Sequence, residues 1–257
     1  MVLAVIPARW ASTRFPGKPL ANIAGKSMIQ RVLEQVNQSE RVDRAIVATD
    51  DARILQHVLD LGGEALMTSP EHPSGTDRCA EVAQHFPEAH IILNVQGDEP
   101  FIQPAQIDLL ADTFLHHPTA RIATLAKKIE RLELLNNPNI VKIVFSGTYG
   151  AIYFSRHPIP YLRGIAPEKW LEHQDYYKHI GLYGFHRDAL MEVASLSPSP
   201  LEKAESLEQL RWLEHGIRIA VGITEWETLG IDTPEDLEGL SELWRLKSGG
   251  MAFRPSG

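Results

Sequence analysis

Arg9, Arg14 and Lys18 fall in one short loop, Pro7-Ala8-Arg9-Trp10-Ala11-Ser12-Thr13-Arg14-Phe15-Pro16-Gly17-Lys18-Pro19-Leu20. Fixed cations held in a turn shaped by Gly and Pro suit a polyanion, since backbone N–H groups can face the ligand as well. The chemistry this suggests is a grip on a nucleotide triphosphate. The competing reading of the same residues is a solvated basic loop. Asp98, in Gln96-Gly97-Asp98-Glu99-Pro100, and Asp232, before Thr233-Pro234-Glu235-Asp236, are carboxylates suited to Mg²⁺, which takes one or two carboxylates plus phosphate oxygens. Asp98 could instead be a turn residue ahead of Pro100, and Asp232 a plain helix start. Ser74-Gly75-Thr76-Asp77-Arg78 opens a helix: Gly75 lets backbone approach a ligand, and Arg78 can donate a fork to a base carbonyl or phosphate. Its bland counterpart is an N-cap at Ser74 or Thr76 with Arg78 in solvent.

Strands and helices in alternation place these residues. Val2–Ile6, Ala45–Ala48, Ala65–Met67 and His90–Val95 are apolar strand runs, separated by helices over 27–38, 51–61 and from the Ser74 loop to Phe86. Ser27 is the N-cap of the first helix, and Gly62-Gly63 closes the second. Gly25-Lys26-Ser27 imitates the end of a P-loop, but that motif needs Gly at position 20, where Leu20 stands. The pattern predicts a parallel sheet with right-handed crossovers, and ligands bind such sheets at the carboxyl ends of strands. The cationic loop, Thr49-Asp50, the Ser74 loop and Gln96-Gly97-Asp98 all fall at such ends.

Beyond Pro104 the pattern loosens. A helix over 107–115, a strand over 122–126 and a hairpin of Val141–Val144 with Tyr149–Ser155 are expected. Residues 156–179, rich in Pro, Gly and aromatics, leave the sheet as a lid or dimer surface. Ile180–Phe185 is strand, two helices follow, and Ile217–Ile223 is the last strand. A final helix is capped by Thr233 with Pro234 at its first position. We therefore expect one α/β domain over 1–247 with an insert at about 145–185, and a disordered tail over 248–257. His116-His117 has no carboxylate at ligand spacing and reads as solvated.

With 257 residues and 44% hydrophobic content, the chain has the make-up of an ordinary globule. A net charge of −8 disfavours a general nucleic-acid binder yet allows a local basic cleft. No apolar run reaches the roughly 18 residues of a membrane span. With Met1 leading straight into a strand, no secretory leader is expected, and the single Cys79 can form no internal disulfide. A cytoplasmic protein is the expectation.

Taken in order, Pro7–Leu20, Ser74–Arg78, Asn94–Pro100, Tyr153–Arg156, Lys178–Phe185, Leu207–Arg211 and Asp232–Leu237 closely resemble the CMP-sugar-acid synthetases, across nearly the whole chain. These are nucleotidyltransferases of the glycosyltransferase-A type. The resemblance implies a Rossmann-like, mostly parallel mixed sheet flanked by helices, with an inserted dimerisation and sugar-binding segment, in a homodimer. It implies transfer of CMP from CTP to the anomeric hydroxyl of a sugar acid, with pyrophosphate leaving and Mg²⁺ as cofactor. The implied acceptor is 3-deoxy-D-manno-octulosonate (Kdo), for lipopolysaccharide assembly; 8-amino-Kdo or an N-acylneuraminate is the alternative. Arg9, Arg14 and Lys18 would hold the phosphates, and Asp98 and Asp232 the metal. Ala8 and Arg78 would lie near the cytosine, with Ser74, Gly75 and Gln96 also on the nucleotide. Gln96, Arg156, His179, Tyr183, Glu208 and Gln209 would surround the sugar acid, His179 as a base or only as a hydrogen-bond partner. Phe15 stands where Leu is usual, and Trp10 where Tyr or Leu is common. A protein of another class, one that kept this fold and lost catalysis, would be marked by loss of Asp98, Asp232 or Lys18; all are present.

Overall fold

The computed structural model describes residues 1–11, 15–228, 230–231 and 233–237. Arg14, Asp232 and the tail over 248–257 lie outside the described residues. The chain divides into two compact units, 1–108 with 227–257, and 109–226.

The first unit is built on the buried strand β1 (Val2–Ala8), in which Leu3, Ala4, Val5 and Ile6 have no solvent exposure. A hairpin of β2 (Asn22–Ile23) and β3 (Lys26–Ser27) precedes helix α1 (Met28–Val36). Ser27 caps α1 by accepting from Gln30 N, as expected. Buried Arg31 donates to the carbonyls of Ile23 and Ala24, which ties the hairpin to α1. Strand β4 (Arg44–Thr49), helix α2 (Ala52–Asp60), strand β5 (Glu64–Met67), helix α3 (Gly75–Gln84) and strand β6 (Ile91–Asn94) follow. Helix α4 (Pro104–His116) begins in this unit, a turn earlier than its apolar spacing indicates.

These strands pair in parallel in the order β6-β1-β4-β5. From β1 the chain first builds outward through β4 and β5, then returns to place β6 on the other side of β1. The strand order therefore reverses beside β1, and a crevice opens at the carboxyl ends of β1 and β6.

The second unit adds β7 (Ile122–Lys128), α5 (Leu132–Asn136), β8 (Lys142–Phe145), β9 (Ala151–Ser155), α6 (Trp170–His173) and β10 (Tyr177–His186). Helices α7 (Arg187–Ala194), α8 (Pro200–Glu205) and α9 (Gln209–Glu214) lead to β11 (Ile219–Ile223). Its sheet is mixed: β11 is parallel to β7, whereas β10 is antiparallel to both β7 and β8. The expected β8–β9 hairpin is present. Tyr177–His179, expected in the irregular stretch, are already strand, so the excursion spans 156–176. It carries a small core of its own, in which Trp170 and Tyr176 pack with Ile129 and Leu135.

Three helices, α7, α8 and α9, stand where two were expected. Ser206 ends α8 in the left-handed conformation at φ 52. That position favours Gly, so no glycine marks the break.

Candidate active site

The crevice at the ends of β1 and β6 is a cleft of about 360 Å³. Of the expected nucleotide residues it gathers Ala8, Arg9, Lys18, Ser74, Gly75, Arg78, Gln96 and Asp98 in its walls. Its floor depends on close backbone approach: a Cβ on Gly97 would stand 2.5 Å from the Pro7 carbonyl oxygen. Any side chain there would push the end of β6 away from the end of β1.

Two cations of the loop reach the cleft by different routes. Arg9 follows β1 directly and is exposed. Lys18 opens a short 3₁₀ turn over Lys18–Leu20, after Gly17 takes φ 72. The Lys18 ammonium donates to Asp98 Oδ2 at 2.7 Å, so the loop and the β6 end carry a preformed pair of opposite charges. Ile231, the residue before Asp232, donates its N–H to the Asp98 carbonyl at 3.0 Å. Among the described residues no group of at least three His, Cys, Asp and Glu side chains is placed to hold a metal.

Ser74 caps α3, accepting from Asp77 N at 3.3 Å and donating to Asp77 Oδ2 at 2.6 Å. Arg78 is not solvated. Its side chain is 3% exposed, with one arm on Asp50 at 2.9 Å and the other on the Thr68 hydroxyl. Thr68 in turn bonds to the Thr49 carbonyl. Arg78 thus pins α3 to the carboxyl end of β4, and that fixes where Ser74 and Gly75 face the cleft.

Among the sugar-side candidates, His179 and Tyr183 lie together on β10, ring centroids 5.2 Å apart. His179 bonds to the Thr124 hydroxyl at 2.9 Å and packs edge-on against Phe154. Although the residue keeps some surface in solvent, loss of hydration around the ring lowers its pKa to about 3. The imidazole is neutral over the physiological range, which suits a hydrogen-bond partner better than a base. Tyr183 is 8% exposed, and its hydroxyl has no hydrogen-bond partner among the described residues. Burial, with the Glu208 charge in second place, raises its pKa well above the ordinary phenol value. Gln209 is buried at the start of α9.

Arg156 donates to the carbonyls of Glu205 at 2.7 Å, Pro138 at 3.1 Å and Ser206 at 3.3 Å. Glu205 accepts from Ser155 Oγ and Arg156 N. The guanidinium therefore holds the turn that leads into Glu208 and Gln209.

Sequence reasoning missed His72, which lines the cleft and is held by a short bond to Glu81. It also missed Asp50 as the partner of Arg78. Both pairings join residues of different elements, and no spacing rule reports them.

A family model described as cytidylyltransferase matches residues 3–219. The 3-deoxy-manno-octulosonate cytidylyltransferase of Porphyromonas gingivalis is 56% identical over 241 residues, covering 92% of this chain and 94% of that protein. The enzyme of the same name from Cytophaga hutchinsonii is 54% identical, with 92% and 94% covered. Among solved structures, a CMP:2-keto-3-deoxy-manno-octonic acid synthetase complexed with CTP matches with TM-score 0.89 and 42% identity, over 96% of this chain and 99% of that one. The fold is the Rossmann-like nucleotidyltransferase fold, its mixed sheet flanked by helices. The chain belongs to the cytidylyltransferase family.

Proposed function

We propose that this enzyme transfers CMP from CTP to the anomeric hydroxyl of Kdo, releasing pyrophosphate and supplying an activated sugar acid for lipopolysaccharide assembly. The observation that carries the reading is the cleft at the reversal beside β1, where Arg9, Lys18 and Asp98 meet the capped start of α3. Attack on the α-phosphorus needs alignment and charge neutralisation more than covalent chemistry. Arg9 and Lys18, with Arg14, take the β and γ phosphates and stabilise the leaving pyrophosphate. Ala8, Ser74, Gly75 and Gln96 position the nucleoside, and Arg78 fixes the wall it rests on.

Asp98 is a hard oxygen donor beside the phosphate grip, and this fits Mg²⁺. Asp98 and Asp232 would hold the ion, which when bound neutralises phosphate charge. On the sugar side, Tyr183, His179, Glu208 and Gln209 offer neutral and acceptor groups for hydroxyls. No dedicated base is assigned. A homodimer is part of the same reading; on the segments it would use, Ile152 of β9 is 60% and Tyr161 of the excursion 72% exposed.

Base selectivity tests the nucleotide half of this reading. CTP should exceed UTP in kcat/KM by about a hundredfold or more, because groups that pair with the cytosine amine are left unpaired by uracil. Comparable values for the two would overturn it. The sugar half is tested at Arg156. Arg156→Ala frees the turn before Glu208, so KM for the sugar acid should rise several-fold more than KM for CTP. Equal effects on both would place Arg156 in the fold at large.

A further inference from the structure

Trp10 lies inside the cationic loop, yet its side chain has a partner outside it. The Arg53 guanidinium sits over the indole, 3.3 Å from the ring centroid. Arg53 is itself held in a fork by Asp51, Nε to Oδ1 at 2.9 Å and Nη2 to Oδ2 at 2.6 Å. Asp51 is the N-cap of α2 and accepts from Arg53 N as well. The indole is tied to the far end of the loop too. Gly17 N donates to Trp10 O at 3.1 Å, and a Cβ on Gly17 would meet Trp10 Cη2 at 2.8 Å. Phe15 packs against the small core of Ile23, Met28, Phe101 and Ile231.

Arg9 and Lys18 flank this arrangement in the chain and line the cleft. Arg53 is not among the residues that line it. Cations gathered on one loop repel one another in the free protein, and ordering a loop costs conformational entropy for each residue fixed. A loop already set before the nucleotide arrives avoids that cost at binding.

We propose that Trp10, Arg53 and Asp51 form a latch between the phosphate-gripping loop and the start of α2, with Arg53 a positioning residue for CTP. This rests on the functional reading above. Asp51 supplies the cap and the fork, Arg53 the cation over the ring, and Trp10 the surface that links Arg9 to Gly17 and so to Lys18. The latch acts through the phosphate grip, and so on CTP affinity, and it leaves the sugar acid's own contacts untouched.

The test is equilibrium binding of CTP to the full chain, with steady-state kinetics beside it. Arg53→Ala keeps Asp51 as the cap of α2, because that bond goes to a backbone N–H. It should weaken CTP binding about two- to fivefold, the range expected for one exposed cation–π contact. The KM for the sugar acid should hold. Trp10→Phe should weaken CTP in the same direction, and Arg53→Lys should restore part of the affinity. Trp10 fluorescence, taken as the difference from the Trp10→Phe protein, should shift in Arg53→Ala as the ring meets solvent. Wild-type affinity in both Arg53→Ala and Trp10→Phe would overturn the latch while leaving the CTP reading in place. A wild-type protein that binds no CTP would instead remove the functional reading beneath it.

Discussion

Asp98→Asn is expected to abolish useful turnover while the fold survives. Asp98 stands in the turn after β6, in the cleft wall, and meets Lys18 at 2.7 Å. The amide is nearly the same size but brings no charge to Lys18 or to a metal beside the phosphates. Loss of one such group in a phosphoryl-transfer site removes about 3 kcal/mol or more of transition-state stabilisation, roughly a hundredfold in rate. The far-ultraviolet circular dichroism and melting temperature should stay close to wild type, since Asp98 is partly exposed and its backbone bond to Ile231 is independent of the side chain. Near wild-type rates at saturating Mg²⁺ would remove Asp98 from the chemistry.

Arg78→Ala should act on stability first. Its guanidinium is 3% exposed, and Asp50 is 13% exposed. Removing one partner strands the other as an uncompensated, largely buried charge, which costs about 3–5 kcal/mol. Against a typical total of about 5–15 kcal/mol, that is a large share of the stability, and the melting temperature should fall by roughly 10 °C. Adding Asp50→Asn should recover part of the loss, because the stranded charge is then gone. CTP binding should weaken as well, through movement of Ser74 and Gly75 at the start of α3. An unchanged melting temperature with lost CTP binding would show that Arg78 reads the nucleotide directly and does not anchor α3.

Features governed by local chemistry were legible in the chain. Ser27, Ser74 and Thr233 are polar residues ahead of helical spacing, and each caps its helix; Thr233 and Asp236 bond reciprocally. The apolar runs of β1, β4 and β6 identified the parallel strands; the residues just past β1 and β6 line the cleft, whereas Asp50, just past β4, does not line it and instead holds Arg78. Partnerships across long separations were not legible. Arg78 with Asp50, Arg53 with Trp10, and Arg156 with the Glu205 turn join residues that only the fold brings together. Arg156 is the clearest instance: its type suits a carboxylate ligand, and only the structure shows its donors on backbone carbonyls. Short elements also escaped, since α5 and the β2–β3 hairpin are too brief to show a period. Arg14 and Asp232 keep the roles their motifs imply as proposals, because both lie outside the described residues.

The most direct measurement is pyrophosphate release by the purified protein with CTP and Mg²⁺, across a panel of acceptors. The panel holds Kdo, 8-amino-Kdo, an N-acylneuraminate and a neutral hexose, and the nucleotide product is identified by mass. The account predicts rapid release with Kdo, CMP-Kdo as the product, and no release with the hexose. Preference for 8-amino-Kdo or the N-acylneuraminate would keep the cytidylyl transfer and change the acceptor. No release with any sugar acid, or a hexose as the best acceptor, would contradict the account.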